Sequence, residues 1–348
     1  MEVVARTIAQ GLARDHRVEV LTSMSVPFPA LRSERDGNLR VRRLRTLEFA
    51  HVPFMPTLPF HLARLPREAV IHVHVAVVYA PEVAWLYCKL LRRPYIAHFH
   101  LDVDPSGTLG PLFVLYKRFV LGRVLRSAVR VIAVSPDQPE FLMRTYRVER
   151  DRIELIPNGV GSEFFLGPRA APAGDRRFRL LFVGRLSPQK NVSLLLNALA
   201  AMTQPVDVTI VGDGEERPML ERMVADLGLT NVKLVGAKMG QDLVEQYRRA
   251  DALVLTSLKE GTSLVLLEAF AAGLPVVATD VVGVRDTVGD DGLLVTPDPA
   301  ALAESLDRLV ADPELWYELA CRSAKRAGQH PWTTLLEHLQ NLYDDVFV

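Results

Sequence analysis

The sequence predicts an α/β protein built from two doubly wound parallel-sheet domains. The chain has 348 residues, about twice the length of a single domain of roughly 100–200 residues. Apolar residues make up 49% and charged residues 24%, as in ordinary soluble globular proteins. Short β-branched runs alternate with helical patterns through nearly the whole chain. This alternation is expected when parallel strands are joined by helices that cover the sheet.

The first half opens with a helical pattern, Met1–Arg14, followed by six candidate strands. These strands are Arg17–Thr22, Leu39–Leu44, Val70–Val75, Tyr95–His98, Arg130–Ser135 and Ile153–Pro157. The second half adds the strands Phe178–Gly184, Asp207–Gly212, Val232–Val235, Ala252–Thr256, Pro275–Thr279 and Leu293–Thr296. Its expected helices include Asn191–Met202, Glu215–Leu227 and Ala300–Val310. Because the strands are almost continuously apolar, we expect both faces of each sheet to be buried.

A domain boundary is predicted at 158–177, where "GPRAAPAGDRR" has no hydrophobic period. The charge balance changes sign there: residues 1–160 carry 23 basic and 15 acidic side chains, and residues 161–348 carry 18 and 26. We expect a first domain at 1–158, a second domain at 159–330 and a C-terminal helix at 331–348. That helix can pack on either domain or cross back to the first. The cleft between the domains is the expected ligand site.

Composition excludes several classes of protein. Lys plus Arg and Asp plus Glu both number 41, and this zero net charge argues against a dedicated nucleic-acid binder. Only Cys88 and Cys321 are present, which excludes a disulfide scaffold and favours a reducing, cytoplasmic location. The longest uncharged run, Ala69–Pro81, is too short to span a bilayer.

Two carboxylates mark the first candidate site. The helical stretch Leu264–Ala272 is apolar apart from Glu268, and Glu260 lies eight residues earlier, after a predicted strand. Thr262 or Ser263 can cap this helix, whose N-terminus offers backbone N–H groups to an anion. Such a site fits a ligand with both phosphate and sugar hydroxyls. The alternative is that Glu268 pairs with a buried arginine and Glu260 is solvated.

Two cations follow another strand. Strand Phe178–Gly184 ends in glycine, Arg185 comes next, and Lys190 precedes a helix. At the carboxyl end of a parallel strand this pair can hold a diphosphate, through charge-assisted hydrogen bonds of about 1.5–3 kcal/mol each. Both side chains could equally be ordinary surface charges. The segment is not a Walker loop, and "GDGEER" from Gly212 does not follow the dinucleotide-binding pattern.

Four segments, taken in order and spacing, resemble the retaining glycosyltransferases of family 4, which have the GT-B fold. The segments are "IPNGV", "VGRLSPQKN", "VGDGEE" and "ADALVLTSLKEGTSLVLLEAFAAGLPVVAT". Glu260 and Glu268 look like that family's E-x7-E pair. The resemblance implies two Rossmann-like domains facing across a cleft. It also implies that Arg185 and Lys190 hold the donor diphosphate, while Glu260 holds the sugar hydroxyls and Glu268 the ribose.

The resemblance implies transfer of a sugar from a nucleotide-sugar, UDP- or GDP-linked, to an acceptor hydroxyl with retention of anomeric configuration. The acceptor could be a lipid, a glycan or a small metabolite. No cofactor and no metal are expected. The implied catalytic residues are His100, Glu260, Arg185 and Lys190, and the donor-binding set adds Gly184, Gly261, Thr262, Ser263, Leu264 and Glu268. A non-catalytic or decayed sugar-nucleotide-binding protein is the alternative, and a GT-B epimerase or phosphorylase is a weaker one.

Histidines cluster in the first half, as His72 and His74 on one strand and His98 and His100 at the end of the next. The resemblance gives His100 a contact with the donor sugar. We interpret the other three as core histidines, with a zinc site as a weaker alternative. Asp102-Val103-Asp104 resembles the metal-binding motif of a different glycosyltransferase fold, and we interpret it as a turn.

Two further features of the first half bear on partners. The segment Leu112–Leu125 mixes apolar side chains with Lys117, Arg118 and Arg123, so it could seat on anionic lipid or be a core-packed helix with a basic edge. The family begins with a strand and a Gly-Gly loop, whereas "MEVVARTIAQGLA" looks like the sequence that follows that loop. We therefore expect either a true start upstream of Met1 or a shortened protein with impaired acceptor binding.

Overall fold

The computed structural model describes residues 2–24, 33–49, 52–76, 78–100, 114–172, 176–261, 263–328 and 331–347. Contacts between residues divide the chain into two compact units. Unit 1 comprises Met1–Pro157 together with Thr333–Val348, and unit 2 comprises Asn158–Trp332. The final helix, Trp332–Phe347, therefore belongs almost entirely to unit 1. Within the described residues, no helix combines the length and the apolar character that crossing a bilayer requires.

Among its described residues, unit 1 contains nine strands in three sheets. The strands are β1 (Val18–Ser23), β2 (Ser33–Asp36), β3 (Leu39–Leu44), β4 (Leu47–Phe49), β5 (Val52–Phe54), β6 (His72–Val75), β7 (Ile96–Phe99), β8 (Arg130–Ala133) and β9 (Ile153–Leu155). The α-helices described in this unit are Glu2–Leu12, Leu58–Leu62, Ala80–Leu91, Gly122–Ser127 and Gln138–Phe141, besides the C-terminal helix. Lys117–Leu121 and Leu142–Tyr146 are π-helical turns.

The central sheet of unit 1 is parallel, with strand order β6-β7-β8-β9. A second sheet has the order β1-β3-β2, in which β1 pairs parallel and β2 antiparallel with β3. Strands β4 and β5 form a short antiparallel ribbon. All six strands expected in this half are present, and the antiparallel β2, β4 and β5 are additions. These three are short, and β2 reads Ser-Glu-Arg-Asp, a polar sequence without the apolar run that predicts a buried strand.

Unit 2 is one six-stranded parallel sheet with the order β12-β11-β10-β13-β14-β15. Its strands are β10 (Phe178–Val183), β11 (Val206–Val211), β12 (Val232–Leu234), β13 (Ala252–Leu255), β14 (Val276–Thr279) and β15 (Leu293–Val295). Its α-helices are Val192–Ala201, Arg217–Asp226, Gln241–Arg249, Leu264–Ala271, Val284–Val288, Pro299–Ala311 and Pro313–Ala327. Each of the six strands predicted for this half is confirmed, and all their pairings are parallel.

Helices cover both faces of this sheet, as the doubly wound prediction requires. Along β10, Leu180 and Phe182 pack into one hydrophobic cluster with Leu195 of helix Val192–Ala201. Leu181 and Val183 pack into a second cluster that contains Phe270 of helix Leu264–Ala271. Successive side chains of a strand point to opposite faces, so the two clusters are the two sides of a buried sheet.

The segment 158–177, predicted as the domain boundary, belongs to unit 2 and is anchored there by two arginines. The Arg169 guanidinium donates hydrogen bonds to the carbonyl oxygens of Ala272, Ala250 and Tyr247, each at 2.6 Å, and to that of Arg248 at 3.2 Å. Arg176 makes a two-pronged ion pair with Asp251, at 2.6 and 2.7 Å. The segment has no hydrophobic period, and its described residues are held instead by arginine side chains that bind helix-end carbonyls and a buried carboxylate.

Candidate functional site

The candidate site lies at the carboxyl edge of the unit 2 sheet, where the strand order reverses. From β10 the chain proceeds to β11 and β12 on one side and then returns to β13, β14 and β15 on the other. Strands β10 and β13 are direct neighbours, with Leu180 opposite Ala252. Loops that follow two such strands diverge to opposite faces of a sheet and leave a crevice, which is the usual ligand position in open α/β sheets.

Two of the predicted residues meet at this crevice. Lys190 follows β10 and Glu260 follows β13, and Lys190 Nζ lies 2.5 Å from Glu260 Oε1. The Ser257 hydroxyl donates to the same carboxylate oxygen at 2.5 Å. The Glu260 residue is 9% exposed and the Lys190 side chain 16%. A nearly buried ion pair is stable only when both groups are well hydrogen-bonded, so this pair fixes the two side chains in place.

Backbone and side-chain hydrogen bonds hold the two loops together. Leu258 N–H donates to the Gln189 carbonyl oxygen at 2.8 Å, and Gln189 Nε2 donates to the Lys259 carbonyl oxygen at 2.8 Å. The Thr256 hydroxyl donates to the Lys190 carbonyl oxygen at 2.9 Å. The segments that carry Lys190 and Glu260 are therefore crosslinked on both sides of the ion pair.

Glycines allow neighbouring loops to approach the pair closely. Gly283, at φ +82°, follows β14, and a Cβ built there would lie 2.1 Å from the Glu260 carbonyl oxygen. Gly212, at φ +148°, follows β11, and a Cβ there would lie 1.8 Å from the Gly184 carbonyl oxygen. Both positions exclude a larger residue because the added atom would overlap backbone. A Cβ built at Gly184 would lie 3.5 Å from the Lys190 side-chain carbons Cδ and Cε, so this glycine faces the lysine stem.

Arg185 has a different partner from Lys190. Its side chain is 73% exposed and pairs with Glu215, with Nη2 3.1 Å from Glu215 Oε2. Glu215 follows β11 in the chain, so Arg185 lies at the same edge of the sheet but bonds to the neighbouring loop. The exposed pair is easily exchanged for another anion, since surface ion pairs contribute only about 0–1 kcal/mol.

Glu268 is held by a tyrosine that the sequence did not suggest. The hydroxyl of Tyr247, on helix Gln241–Arg249, donates to Glu268 Oε2 at 2.6 Å. Burial raises the pKa of Glu268 from 4.5 to about 7, the Tyr247 hydrogen bond acts in the opposite direction, and the nearby Glu163 carboxylate adds to the rise. The alternative pairing with a buried arginine is not observed among the described residues.

Helix Leu264–Ala271 begins beside the ion pair. Ser263 precedes it, is buried, and makes no side-chain capping hydrogen bond. Gly261 lies between this helix and Glu260, and Thr262 lies outside the described residues. An open depression of about 490 Å³ adjoins the same loops, lined by Leu258, Lys259, Asp280, Val281, Val282 and Arg285.

His100 belongs to unit 1, where it follows β7. It is buried, and its Nε2 lies 2.7 Å from His74 Nδ1. Gln138 Nε2 donates to the His100 carbonyl oxygen at 3.1 Å and fixes the backbone there. Burial lowers the pKa of His74 to about 4, and burial together with the neighbouring histidines holds the pKa of His72, His98 and His100 well below 6.5. All four imidazoles are therefore neutral at pH 7. Asp102–Asp104 lie outside the described residues.

Several residues that build the site carried no sequence signal of their own. Tyr247 and Glu215 bond to predicted residues 21 and 30 positions away, and Ser257 bonds to Glu260 within the same loop. Gly283 lies in the loop after β14, where glycine permits the positive φ and the close backbone approach.

Each half of the chain matches the profile of a known protein family. A profile described as Glycosyltransferase Family 4 matches residues 1–164, and one described as Glycosyl transferases group 1 matches residues 177–312. The chain belongs to this glycosyltransferase family. It shares the family's GT-B fold, since solved glycosyltransferases superpose on nearly all of it. HepE of Anabaena, solved with UDP and glucose, covers 99% of the chain, which covers 96% of HepE, at 20% identity and a TM-score of 0.79. Sucrose-phosphate synthase of Thermosynechococcus elongatus covers 99% of the chain, which covers 93% of that protein, at 23% identity and a TM-score of 0.77.

Curated glycosyltransferases are similar to part or nearly all of the chain. The D-inositol 3-phosphate glycosyltransferase of Frankia alni is 35% identical over 235 residues, which is 60% of this chain and 57% of that protein. An uncharacterized glycosyltransferase of Methanocaldococcus jannaschii is 26% identical over 99% of this chain and 93% of its own length. The chain thus spans only 57% and 52% of the first two curated relatives.

Proposed function

We propose that this glycosyltransferase moves a sugar from a nucleotide-sugar to an acceptor hydroxyl with retention of anomeric configuration. The observation that carries the proposal is the Lys190–Glu260 ion pair at the strand-order reversal of unit 2. It sets a cation for phosphate and a carboxylate for hydroxyls side by side, which is the pairing a nucleotide-sugar requires. HepE was solved with UDP and with UDP-glucose, which favours a uridine donor here over a guanosine one.

On the phosphate side, negative charge increases as the bond between sugar and diphosphate breaks. Lys190 and Arg185 supply two cations, and the start of helix Leu264–Ala271 supplies the backbone N–H groups of Ser263 and Leu264. Groups already positioned where charge develops stabilise the transition state without reorganising. Arg185 exchanges its exposed Glu215 partner for phosphate, so the diphosphate is neutralised by the protein itself and no metal is required.

On the sugar side, Glu260 accepts hydrogen bonds from donor hydroxyls. Its Oε1 is occupied by Lys190 and Ser257, and no described residue donates a hydrogen bond to its Oε2. That oxygen accepts from the donor sugar, Glu268 accepts from the ribose, and His100 contacts the sugar near the reacting carbon. Orientation of the two substrates contributes the remaining part of the rate enhancement.

Retention follows when the acceptor approaches from the face that the diphosphate leaves. The acceptor oxygen forms a bond to the anomeric carbon while the bond from that carbon to the phosphate oxygen breaks. The acceptor proton passes to the departing phosphate oxygen, so the products are the glycoside and the nucleoside diphosphate. No side chain forms a covalent bond to the sugar.

The proposal is tested with wild-type protein, a nucleotide-sugar chosen by thermal-shift screening of uridine, guanosine and adenosine forms, and a panel of acceptors. We expect release of nucleoside diphosphate and a product with the donor's anomeric configuration, read by NMR. Glu260→Gln is expected to slow transfer by at least about 10-fold, because a neutral amide accepts hydrogen bonds more weakly. The exposed Glu304→Gln serves as its matched control. An inverted product contradicts retention, and tight donor binding without transfer or hydrolysis supports the non-catalytic alternative.

We further propose peripheral contact of unit 1 with anionic lipid. Helix Ala80–Leu91 exposes Leu86, Leu90 and Leu91, which are 50%, 72% and 57% exposed, with Lys89 on the same helix. Phe119, 49% exposed, lies on the basic turn Lys117–Leu121. Apolar and basic side chains together suit an anionic bilayer surface.

Flotation with phosphatidylglycerol-containing vesicles tests this contact. We expect salt-sensitive binding that Leu90→Ser together with Leu91→Ser weakens. Equal binding to purely zwitterionic vesicles, or no binding to either, contradicts it.

A further inference from the structure

Four histidines of unit 1 converge on one face of its central sheet. Strands β6 and β7 are parallel, and their register sets His74 directly opposite His98. Because alternate residues of a strand share a face, His72 and His74 lie on the same side as His98. His100 follows on that side, stacked on His98 with 4.4 Å between ring centres. Nothing in the proposed sugar transfer uses His72, His74 or His98.

The ring nitrogens of three of these side chains are close enough to share an ion. His72, His74 and His98 each offer one nitrogen, and the three atoms lie within 4.8 Å of one another. His72 Nε2 and His98 Nδ1 are 3.1 Å apart. Two nitrogens that each bind Zn²⁺ at about 2.0–2.1 Å in a tetrahedron are about 3.3 Å apart. The first pair shares a hydrogen bond whose proton a metal ion would displace, and its separation is already about that of two ligands. The 4.8 Å limit leaves the His74 nitrogen an adjustment of at most about 1.5 Å.

A buried atom at this cluster lacks a partner. His98 is 2% exposed, and its Nε2 makes no hydrogen bond. A buried polar nitrogen without a partner costs about 1–3 kcal/mol. An ion at His98 Nδ1, the nitrogen that faces His72, would not pair this atom, so the orphaned Nε2 points to a water or a second ligand beside the ring rather than to the metal-binding nitrogen itself. An imidazole lone pair is a preferred ligand for Zn²⁺ and similar divalent ions.

Neighbouring groups orient two of the rings. The Tyr343 hydroxyl, on the C-terminal helix, lies 2.6 Å from His72 Nδ1. His100 Nε2 lies 2.7 Å from His74 Nδ1. When Nδ1 of a histidine is a donor to such a partner, its Nε2 keeps the lone pair that a metal needs. Metal-binding histidines almost always have a partner of this kind on the second nitrogen.

We propose that His72, His74 and His98 bind a divalent transition-metal ion of the Zn²⁺ class, with Tyr343 and His100 as positioning residues. Three imidazole ligands leave a fourth position for water or an anion. The site belongs to unit 1 and uses no residue of the Lys190–Glu260 pair. It shares only His100 with the proposed transfer function, whose phosphate chemistry requires no metal.

The test uses the full chain, stripped with a chelator and then titrated with Zn²⁺ by calorimetry. We expect uptake of one ion per chain and a rise in the unfolding temperature that grows with zinc concentration. Titration with Co²⁺ should give the visible absorption of a tetrahedral nitrogen site. A wild-type protein that takes up no zinc at micromolar concentration overturns the proposal.

Variants locate the ion. His98→Ala should abolish the uptake, whereas His338→Ala, an exposed histidine on the C-terminal helix, should bind zinc as the wild type does. Unchanged zinc binding by a folded His98→Ala protein refutes the site. Tyr343→Phe removes only one hydroxyl and should weaken zinc binding about 10–100-fold. It decides the question if His98→Ala fails to fold, because unchanged affinity in Tyr343→Phe contradicts the assigned geometry.

Discussion

Replacing Glu268 by glutamine should stabilise the free protein and weaken nucleotide binding. Burial raises the pKa of Glu268 to about 7 against 4.5 for the unfolded chain. Between these pH values the folded protein binds a proton that the unfolded protein has released, so the free energy of unfolding falls as the pH rises. Above pH 7 the wild type carries the whole penalty of a half-buried carboxylate. Glutamine carries no charge and can still accept the hydrogen bond from Tyr247.

The size of the effect follows from the pKa shift. One pKa unit corresponds to about 1.4 kcal/mol, so the shift sets an upper bound of roughly 3 kcal/mol. Glu268 is only partly buried, and solvent screening reduces this to about 1–2 kcal/mol. For a domain of 150–250 residues that is a rise in Tm of about 2–8 °C. Loss of the charged acceptor should weaken ribose binding by about 10-fold.

The assay is thermal unfolding of wild type, Glu268→Gln and the exposed control Glu304→Gln at pH 5 and pH 8, without ligand. The stabilisation of Glu268→Gln should be present at pH 8 and nearly absent at pH 5, while Glu304→Gln should follow the wild type at both. Calorimetric titration with the nucleotide should show that Glu268→Gln binds more weakly than the wild type, although it is the more stable protein at pH 8. A Glu268→Gln protein no more stable than wild type at pH 8 refutes the burial argument, and unchanged nucleotide affinity refutes the ribose role.

Two further substitutions test the framework of the site. Gly283→Ala places a Cβ against the Glu260 carbonyl oxygen and should lower donor affinity and the free energy of unfolding by about 2 kcal/mol or more. Gly228→Ala, also at positive φ but with no atom within 4 Å, should cost only about 1–2 kcal/mol in chemical denaturation and leave donor affinity unchanged. Equal effects of the two would contradict the close approach at Gly283. Arg169→Ala removes hydrogen bonds to four carbonyl oxygens at the ends of two helices and should cost about 2–4 kcal/mol in urea unfolding. A loss below about 0.5 kcal/mol, within the range usual for surface changes, would mean that Arg169 does not anchor this segment to unit 2.

Most of the regular structure could be predicted because buried parallel strands have a clear sequence signature. The run around Val254 is apolar on both faces, the run around Leu180 is apolar apart from Arg179, and the run around Val208 alternates apolar and polar residues before it ends in Ile210 and Val211. Each forms a strand of unit 2. The strand Ser33–Asp36 could not be predicted in this way. This strand forms because it pairs with β3, and nothing in the local sequence Ser-Glu-Arg-Asp predicts that contact.

The kinds of side chain at the site could be predicted from the sequence, but not which of them bond to one another. The sequence indicates Lys190 and Glu260 as phosphate and hydroxyl groups, but their 2.5 Å contact depends on two loops 70 residues apart. Arg185 bonds to Glu215 because the glycine at Gly212 lets the loop after β11 approach. Such partners are set by tertiary packing and cannot be found from spacing alone.

The distant Tyr343 illustrates the same limit in unit 1. Its hydroxyl reaches His72 only because the last helix belongs to the unit formed by residues 1–157. The sequence leaves open whether this helix packs on the second domain or crosses back to the first, and it gives no sign that Tyr343 faces the histidines.

Calorimetric titration of a nucleotide-sugar tests most directly whether the Lys190–Glu260 pair is the donor site. The titrant is the nucleotide-sugar with the largest thermal shift in the screen, added to wild type, Lys190→Ala and Lys233→Ala, an exposed lysine on strand β12. We predict binding that Lys190→Ala weakens by about 10–100-fold, the worth of one charge-assisted phosphate contact, and that Lys233→Ala leaves unchanged. Equal affinities for wild type and Lys190→Ala, or no binding of any nucleotide-sugar, would contradict the assignment of this pair as the donor site.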